Sequence, residues 1–118
     1  MSGFNFKMVF RSGLSLSIIF CLLSACKKSA DNTPMQAANE VWIQNMAFSP
    51  ATLTVAVNTT VKWTNKDGVN HTVSSDSSWF DSGSIGSGGT YSRQFTVAGT
   101  YSYHCNIHAG MNGKVIVH

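Results

Sequence analysis

Three side chains of the kinds that bind soft or borderline metals recur every third residue near the end of this 118-residue chain: Cys105, His108 and Met111. They sit in the stretch Gly99-Thr-Tyr-Ser-Tyr-His-Cys-Asn-Ile-His-Ala-Gly-Met-Asn-Gly113. A fourth candidate, His71, lies upstream in Val61-Lys-Trp-Thr-Asn-Lys-Asp-Gly-Val-Asn-His-Thr-Val73. A thiolate, two imidazoles and a weak thioether make up the donor set of a mononuclear copper electron-transfer site, in which the thiolate and imidazoles form a trigonal plane and the thioether lies far off on the axis. Zinc is the rival metal. It favours several thiolates or imidazoles in a tetrahedron and rarely takes a thioether, so Met111 speaks for copper.

Such a set works only if the fold holds it. From Val41 onward large, mostly apolar residues alternate with mostly smaller or polar ones: Val41 and Ile43; Leu53, Val55 and Val57; Val61 and Trp63; Tyr91, Arg93, Phe95 and Val97; Tyr101, Tyr103 and Cys105; Val115 and Val117. A period of two marks strands that bury one face. Turn chemistry separates them at Ser49-Pro50, Asn58-Thr59, Lys66-Asp67-Gly68, Ser82 to Gly89 and Ala98-Gly99. No helical stripe and no internal repeat interrupts this pattern, so an all-β sandwich of about seven or eight short strands is expected. Three of the four donors then lie on one loop between two strands, and His71 ends another strand. Alternation places Tyr101, Tyr103 and Cys105 on the inner face and Ser102 and His104 on the outer one.

With those residues in view, the segment from about Val41 to Val117 resembles a small cupredoxin of the plastocyanin and amicyanin type. The Cys-x-x-His-x-x-Met spacing is similar to the short ligand loop of amicyanin, and Thr-Tyr-x-Tyr-His-Cys and Gly-Lys-Val are similar to its flanks; plastocyanins and pseudoazurins have a longer gap before Met. The resemblance implies a Greek-key sandwich with one type 1 (blue) copper ion held by His71, Cys105, His108 and Met111, cycling between Cu(I) and Cu(II). It implies a buried His71 and an electron port at His108, ringed by Met46, Ile107, Ala109 and Gly110. Tyr101, after Ala98-Gly99-Thr100, resembles a tyrosine corner. His104, adjacent in the chain to Cys105, is a candidate second entry point, a ligand to another copper, or a solvated surface histidine.

Two positions depart from the family pattern. Thr72 stands where many members carry Asn; the resemblance implies that its N–H can still bond the Cys105 sulfur and that its hydroxyl would tie the two loops as the Asn amide does, so the surroundings of the ligands are kept only in part. Ile107 stands where many carry Pro, leaving an extra backbone N–H to aim at the sulfur, which would raise the reduction potential.

The N-terminus reads differently. Lys7 and Arg11 precede an apolar run, Leu14 to Leu23, well short of the ~20 residues of a membrane-spanning helix. Residues 1–25 read as a signal peptide, and Leu23-Ser24-Ala25-Cys26 resembles the lipobox of bacterial lipoproteins, which implies acylation of Cys26. Residues 26–38 are then a lipid-bearing terminus and tether, and 39–118 the folded domain. The expected site is the bacterial cell envelope, on the periplasmic side or the outer membrane. Without the signal, six cations face five acids, so the basic balance that nucleic acid requires is absent. Cys21 leaves with the signal and Cys26 with lipid, so Cys105 is alone in the domain and no internal disulfide is possible.

The function expected from this is electron transfer, with no catalysis and no small-molecule substrate, by a monomer meeting redox proteins transiently. A multicopper oxidase or nitrite reductase also uses a His-Cys dipeptide. Yet after two ligands only His104 and His118 remain, too few imidazoles for a trinuclear cluster. A dinuclear centre of the cytochrome oxidase type needs two loop cysteines. Copper storage or delivery is the remaining alternative, although carriers favour exposed Met and His tracts, and Met35 and Met46 are few.

Overall fold

The computed structural model describes residues 34–118. The expected signal peptide, residues 1–25, and the expected acylation site Cys26 lie outside the described residues. Eight strands follow in order: β1 Glu40–Gln44, β2 Ala47–Ser49, β3 Thr52–Val55, β4 Thr59–Asn65, β5 Ser74–Ser75, β6 Thr90–Phe95, β7 Gly99–His104 and β8 Asn112–Val117. They form two four-stranded sheets, ordered β2-β1-β4-β6 and β3-β8-β7-β5. The expected all-β sandwich is present. Two strands that periodicity does not reveal, β2 and β5, are three and two residues long, too short to show a period.

β1 lies parallel to β4 with Val41 opposite Trp63, and β3 lies parallel to β8 with Leu53 opposite Val115. Parallel neighbours need a crossover, so the chain passes between sheets from β2 to β3 and back to β4. Inner faces meet in an aromatic core. Trp63 and Tyr103 are fully buried, with centroids 5.5 Å apart and nearly perpendicular rings, the edge-to-face geometry that aromatic quadrupoles favour. Tyr103 packs edge-on to Phe48 at 4.8 Å, and Phe95 lies 4.8 Å from Tyr101.

The Tyr101 hydroxyl donates to the Val97 carbonyl at 2.6 Å, closing the expected corner. Two residues of the alternating pattern face water instead. Val57 and Val97 are 37% and 63% exposed, because β3 ends at Val55 and β6 at Phe95 and both valines fall in the turns beyond. Among the described residues no helix is long and apolar enough to cross a membrane. The compact unit runs from Gln36 to His118, and the Gln36 amide donates to the carbonyls of Glu40 and Ser49.

Candidate metal centre

The β4–β5 connection begins at Asn65, a fully buried polar side chain. Its amide donates to the carbonyls of Val69 at 2.8 Å and Ile85 at 2.9 Å, and its oxygen accepts from the Asp67 N–H at 2.9 Å. One amide with all these partners fixes the path of residues 65–69 leading to His71, and its own buried N–H groups and oxygen are all satisfied. A short two-way bridge with Ile85 then locks the His71 backbone.

Asp67 orients the His71 ring. Its Oδ2 lies 2.9 Å from Nε2 of the fully buried imidazole, and the same carboxylate accepts the N–H groups of Asn45 and Met46 at 2.7 and 3.0 Å. Those two residues form the tip between β1 and β2 with φ of 57° and 61°, the left-handed pair that a two-residue hairpin needs. Met46 adopts it against its side-chain preference, and the carboxylate contact offsets that cost. Burial pulls the Asp67 carboxyl upward, but the Met46 and Asn45 N–H groups and the His71 ring outweigh it and hold it below its usual value. With Nε2 engaged, Nδ1 is left facing the cluster.

The second segment connects β7 to β8. Cys105 is 5% exposed, and its N–H donates to the Met111 carbonyl at 3.1 Å, closing the loop on itself. Met111 is also buried at 5% exposure. The two segments are tied by Thr72: its N–H points at the Cys105 sulfur at 3.4 Å, and its hydroxyl accepts the Asn106 N–H at 2.8 Å. Ser74 extends the tie, contacting the Thr72 hydroxyl, the Asn106 amide and the Asp81 carboxylate. Burial raises the Cys105 thiol, but the Thr72 N–H, the His71 ring and the N–H groups of His108 and Ile107 pull it down to about 6. Thr72 thus contacts the sulfur directly.

Among the described residues one group of metal-binding side chains converges, His71, Cys105 and His108, with donor atoms within 4.8 Å of one another. The two Nδ1 atoms are 3.2 Å apart, and the Cys105 sulfur is 3.8 and 3.9 Å from them. The centre of the circle through the three atoms lies about 2.1 Å from each, against usual first-row metal distances of about 2.0–2.1 Å to imidazole nitrogen and about 2.3 Å to thiolate. The site therefore fits one small cation in or near the plane of these donors. His108 is the partly exposed member, and exposed Met46, Ile107, Ala109 and Gly110 belong to the same end of the sandwich.

His104 stands outside this group, on the outer face. It shares a 2.6 Å contact with Asp76 through Nδ1 and a 2.8 Å contact with the Asn106 amide oxygen through Nε2. The Asp76 contact raises its pKa, burial opposes the rise, and Asn106 adds to it. In the sequence Asp67 is marked only as part of the turn Lys66-Asp67-Gly68, and neither Asn65 nor Val69 is singled out. The one available signal for Asp67 is its place four residues before His71, and on a loop that spacing has no fixed geometry.

A family model described as a cupredoxin-like domain matches residues 14–117. Amicyanin of Paracoccus denitrificans is 36% identical over 85 residues, 64% of this chain and 61% of that protein. The chloroplast plastocyanin of Tetradesmus obliquus is 36% identical over 85 residues, 61% of this chain and 59% of that protein. This chain thus spans less than two thirds of the length of both relatives. Among solved structures, a Cu(I) form of an amicyanin variant superposes with a TM-score of 0.65 at 33% identity, covering 73% of this chain and 87% of that one. A purple cupredoxin from Nitrosopumilus maritimus gives 0.63 at 29% identity, covering 67% and 98%.

Proposed function

This chain belongs to the cupredoxin-like family, and from that we propose that it carries single electrons on one copper ion held by His71, Cys105, His108 and Met111. The observation that carries the reading is the triangle of two Nδ1 atoms and one sulfur with sides of 3.2, 3.8 and 3.9 Å. A bound copper ion supplies a one-electron couple between Cu(I) and Cu(II).

The chain's own residues do the rest. Asn65 and Asp67 hold the His71 ring, Thr72 and the Cys105–Met111 backbone bond hold the thiolate, and the lowered thiol value keeps the sulfur ready to bind near neutral pH. Donors fixed before metal arrives move little when the charge on the site changes, which keeps the cost of each transfer low. The Met111 thioether is the soft donor that sets the site apart from a zinc centre. His108, the donor nearest solvent, is the exit for the electron, and exposed Met46, Val69 and Ile107 form a small apolar rim suited to brief docking by redox proteins. His104 is a second candidate route, joined through the backbone to Cys105. The carrier works as a monomer on the envelope, on the periplasmic side or the outer membrane, held by lipid on Cys26.

Loading the purified chain with Cu(II) tests the reading. We expect an intense visible thiolate-to-copper absorption, reversible bleaching on reduction, and loss of the colour in Cys105→Ser. A copper-loaded protein without that absorption overturns it.

A further inference from the structure

Large apolar side chains are exposed at both ends of the sandwich. Around the metal centre they are Met46, Val69 and Ile107. At the other end are Val57 and Val97, at 37% and 63% exposure, with Trp79 at 58% on the flank leading to them. The second group is not loose surface. Trp79 stands edge-on to the Tyr101 ring with centroids 5.0 Å apart, which fixes the indole while leaving more than half of it in water. Between Trp79 and Val97 lies a cleft of about 180 Å³, floored by Phe95 and Tyr101 and lined also by Arg93 and Gln94.

Arg93 is the unusual member. Its guanidinium lies over the rings of Phe80 and Phe95, with its central carbon 5.2 and 5.8 Å from their centroids, and its Nε is buried without a hydrogen-bond partner. Among the described residues the ion pairs are His71 with Asp67 and His104 with Asp76, so Arg93 has no carboxylate, and no acid lines the cleft. A fixed guanidinium with free donors suits a phosphate oxygen, which it can take through two N–H groups at once. A rigid indole and a valine beside it suit the apolar layer just beneath a phosphate plane, where tryptophan is enriched.

We propose that this face, with Val57, Trp79 and Val97 as its apolar contacts and Arg93 as its phosphate contact, rests on the surface of an anionic phospholipid bilayer. The inference deepens the envelope reading above and rests on it for a bilayer within reach. Glu40, the first residue of β1, pairs with Lys62 at the middle of β4, so the chain enters the domain midway between the His71 end and the Val97 end. Cys26 precedes Gln36 by ten residues, a reach of at most about 35 Å. A tether of that length would let a bilayer holding Cys26 meet this face, which would leave His108 open to soluble partners.

The test couples residues 26–118 through the Cys26 thiol to vesicles containing a maleimide lipid, so that it does not depend on natural acylation; Cys105 is buried in the centre. Mass spectrometry of the cell-derived chain decides the acylation separately. Tryptophan emission is compared on vesicles with brominated and unbrominated acyl chains, made of phosphatidylcholine alone or of equal parts phosphatidylcholine and phosphatidylglycerol. We expect bromine to lower the emission on the anionic vesicles, and Trp79→Phe to abolish the loss, because Trp63 is buried and Trp42 lies on the other sheet's outer side. Arg93→Gln should cut the loss to its level on phosphatidylcholine alone. Quenching that is absent, equal on both lipids, or unchanged in Trp79→Phe overturns the proposal, as does a solution dimer that Trp79→Phe returns to monomer. Unchanged visible absorption of the copper-loaded variants shows that they are folded.

Discussion

The end that holds His71, Cys105 and His108 and the end that exposes Trp79 and Val97 are built by different physical means. At the first, polar contacts place nearly every important atom: Asn65 fixes the loop, Asp67 the ring, and Thr72 the sulfur. At the second, aromatic packing does the placing, with Tyr101 against Phe95 at 4.8 Å and Trp79 against Tyr101 at 5.0 Å. A site whose electronics matter needs donors aimed at particular lone pairs, and hydrogen bonds give direction. A surface that only meets another surface needs shape and rigidity, which packing supplies. Substitutions at the first end should therefore shift spectra and potentials, and those at the second should leave both alone.

The sharpest way to break that division is through the core the two ends share. A Cβ added at Gly113 would lie 2.5 Å from both Cζ and Oη of Tyr103, its partner across the β7–β8 ladder. The Tyr103 ring is wholly buried and cannot swing away, so Gly113→Ala must part the two strands that flank the Cys105–Met111 loop. Overpacking of this kind costs about 1–3 kcal/mol, and with a buried ring as the obstacle the upper half of that range is expected, read from the urea midpoint of the apo-protein. The visible absorption should change with it. If stability falls while the spectrum holds, the ladder does not position the sulfur.

Much of this was legible in the sequence, and the reasons are local. Tyr101, Tyr103 and Cys105 alternate in one strand, so their burial follows from the period alone, and the three-residue steps from Cys105 to Met111 mark the loop. The Thr72 tie to the second loop is read from its place beside His71. What escaped was set by tertiary contact. Asp67 reaches both His71 and the Asn45–Met46 tip, two segments far apart in the chain, and nothing in Lys66-Asp67-Gly68 distinguishes that role from an ordinary turn. Val57 and Val97 keep the alternating pattern but lie past their strand ends, because periodicity does not report where pairing stops. Arg93 also follows the inner-face pattern, and only the open edge at β6 shows why a cation is tolerated there.

A smaller effect tests the polar end by itself, with two substitutions of opposite sign. Asp67→Asn keeps the shape of the contact to His71 and removes a negative charge that favours the more positive metal state, so the reduction potential should rise. Ile107→Pro deletes an N–H that favours the reduced state by drawing charge from the sulfur, so the potential should fall. One hydrogen bond is worth about 1 kcal/mol, and a tenfold change, about 59 mV for one electron, corresponds to about 1.4 kcal/mol, so shifts of several tens of millivolts are expected, with the blue colour kept in both. Voltammetry on the two variants decides it; shifts in the same direction would mean that both act through loosening of the loop. Trp79→Phe, at the far end, should leave the potential unmoved.

The smallest expected effect concerns His104, which belongs to neither end's machinery and sits next to Cys105 in the chain. Its contact with Asp76 raises its pKa above 6.5. A histidine raised in the folded state stabilises the fold fully below its unfolded value, and that contribution disappears as the pH climbs through the raised value. Both side chains are more than a third exposed, so solvent weakens the pair and the stability change should be slight. The titration midpoint is the better readout: in NMR of the copper(I) protein, Asp76→Asn should lower the His104 midpoint toward 6.5. The same experiment bears on the division between the ends, because His104 faces away from the cluster while Thr72 and Asp67 touch it. If the Asp76→Asn potential stays within a few millivolts of the parent while the His104 titration moves, the electronics of the centre are set by contacts on the sulfur and on the His71 ring, and the outer face of β7 is free to serve another purpose.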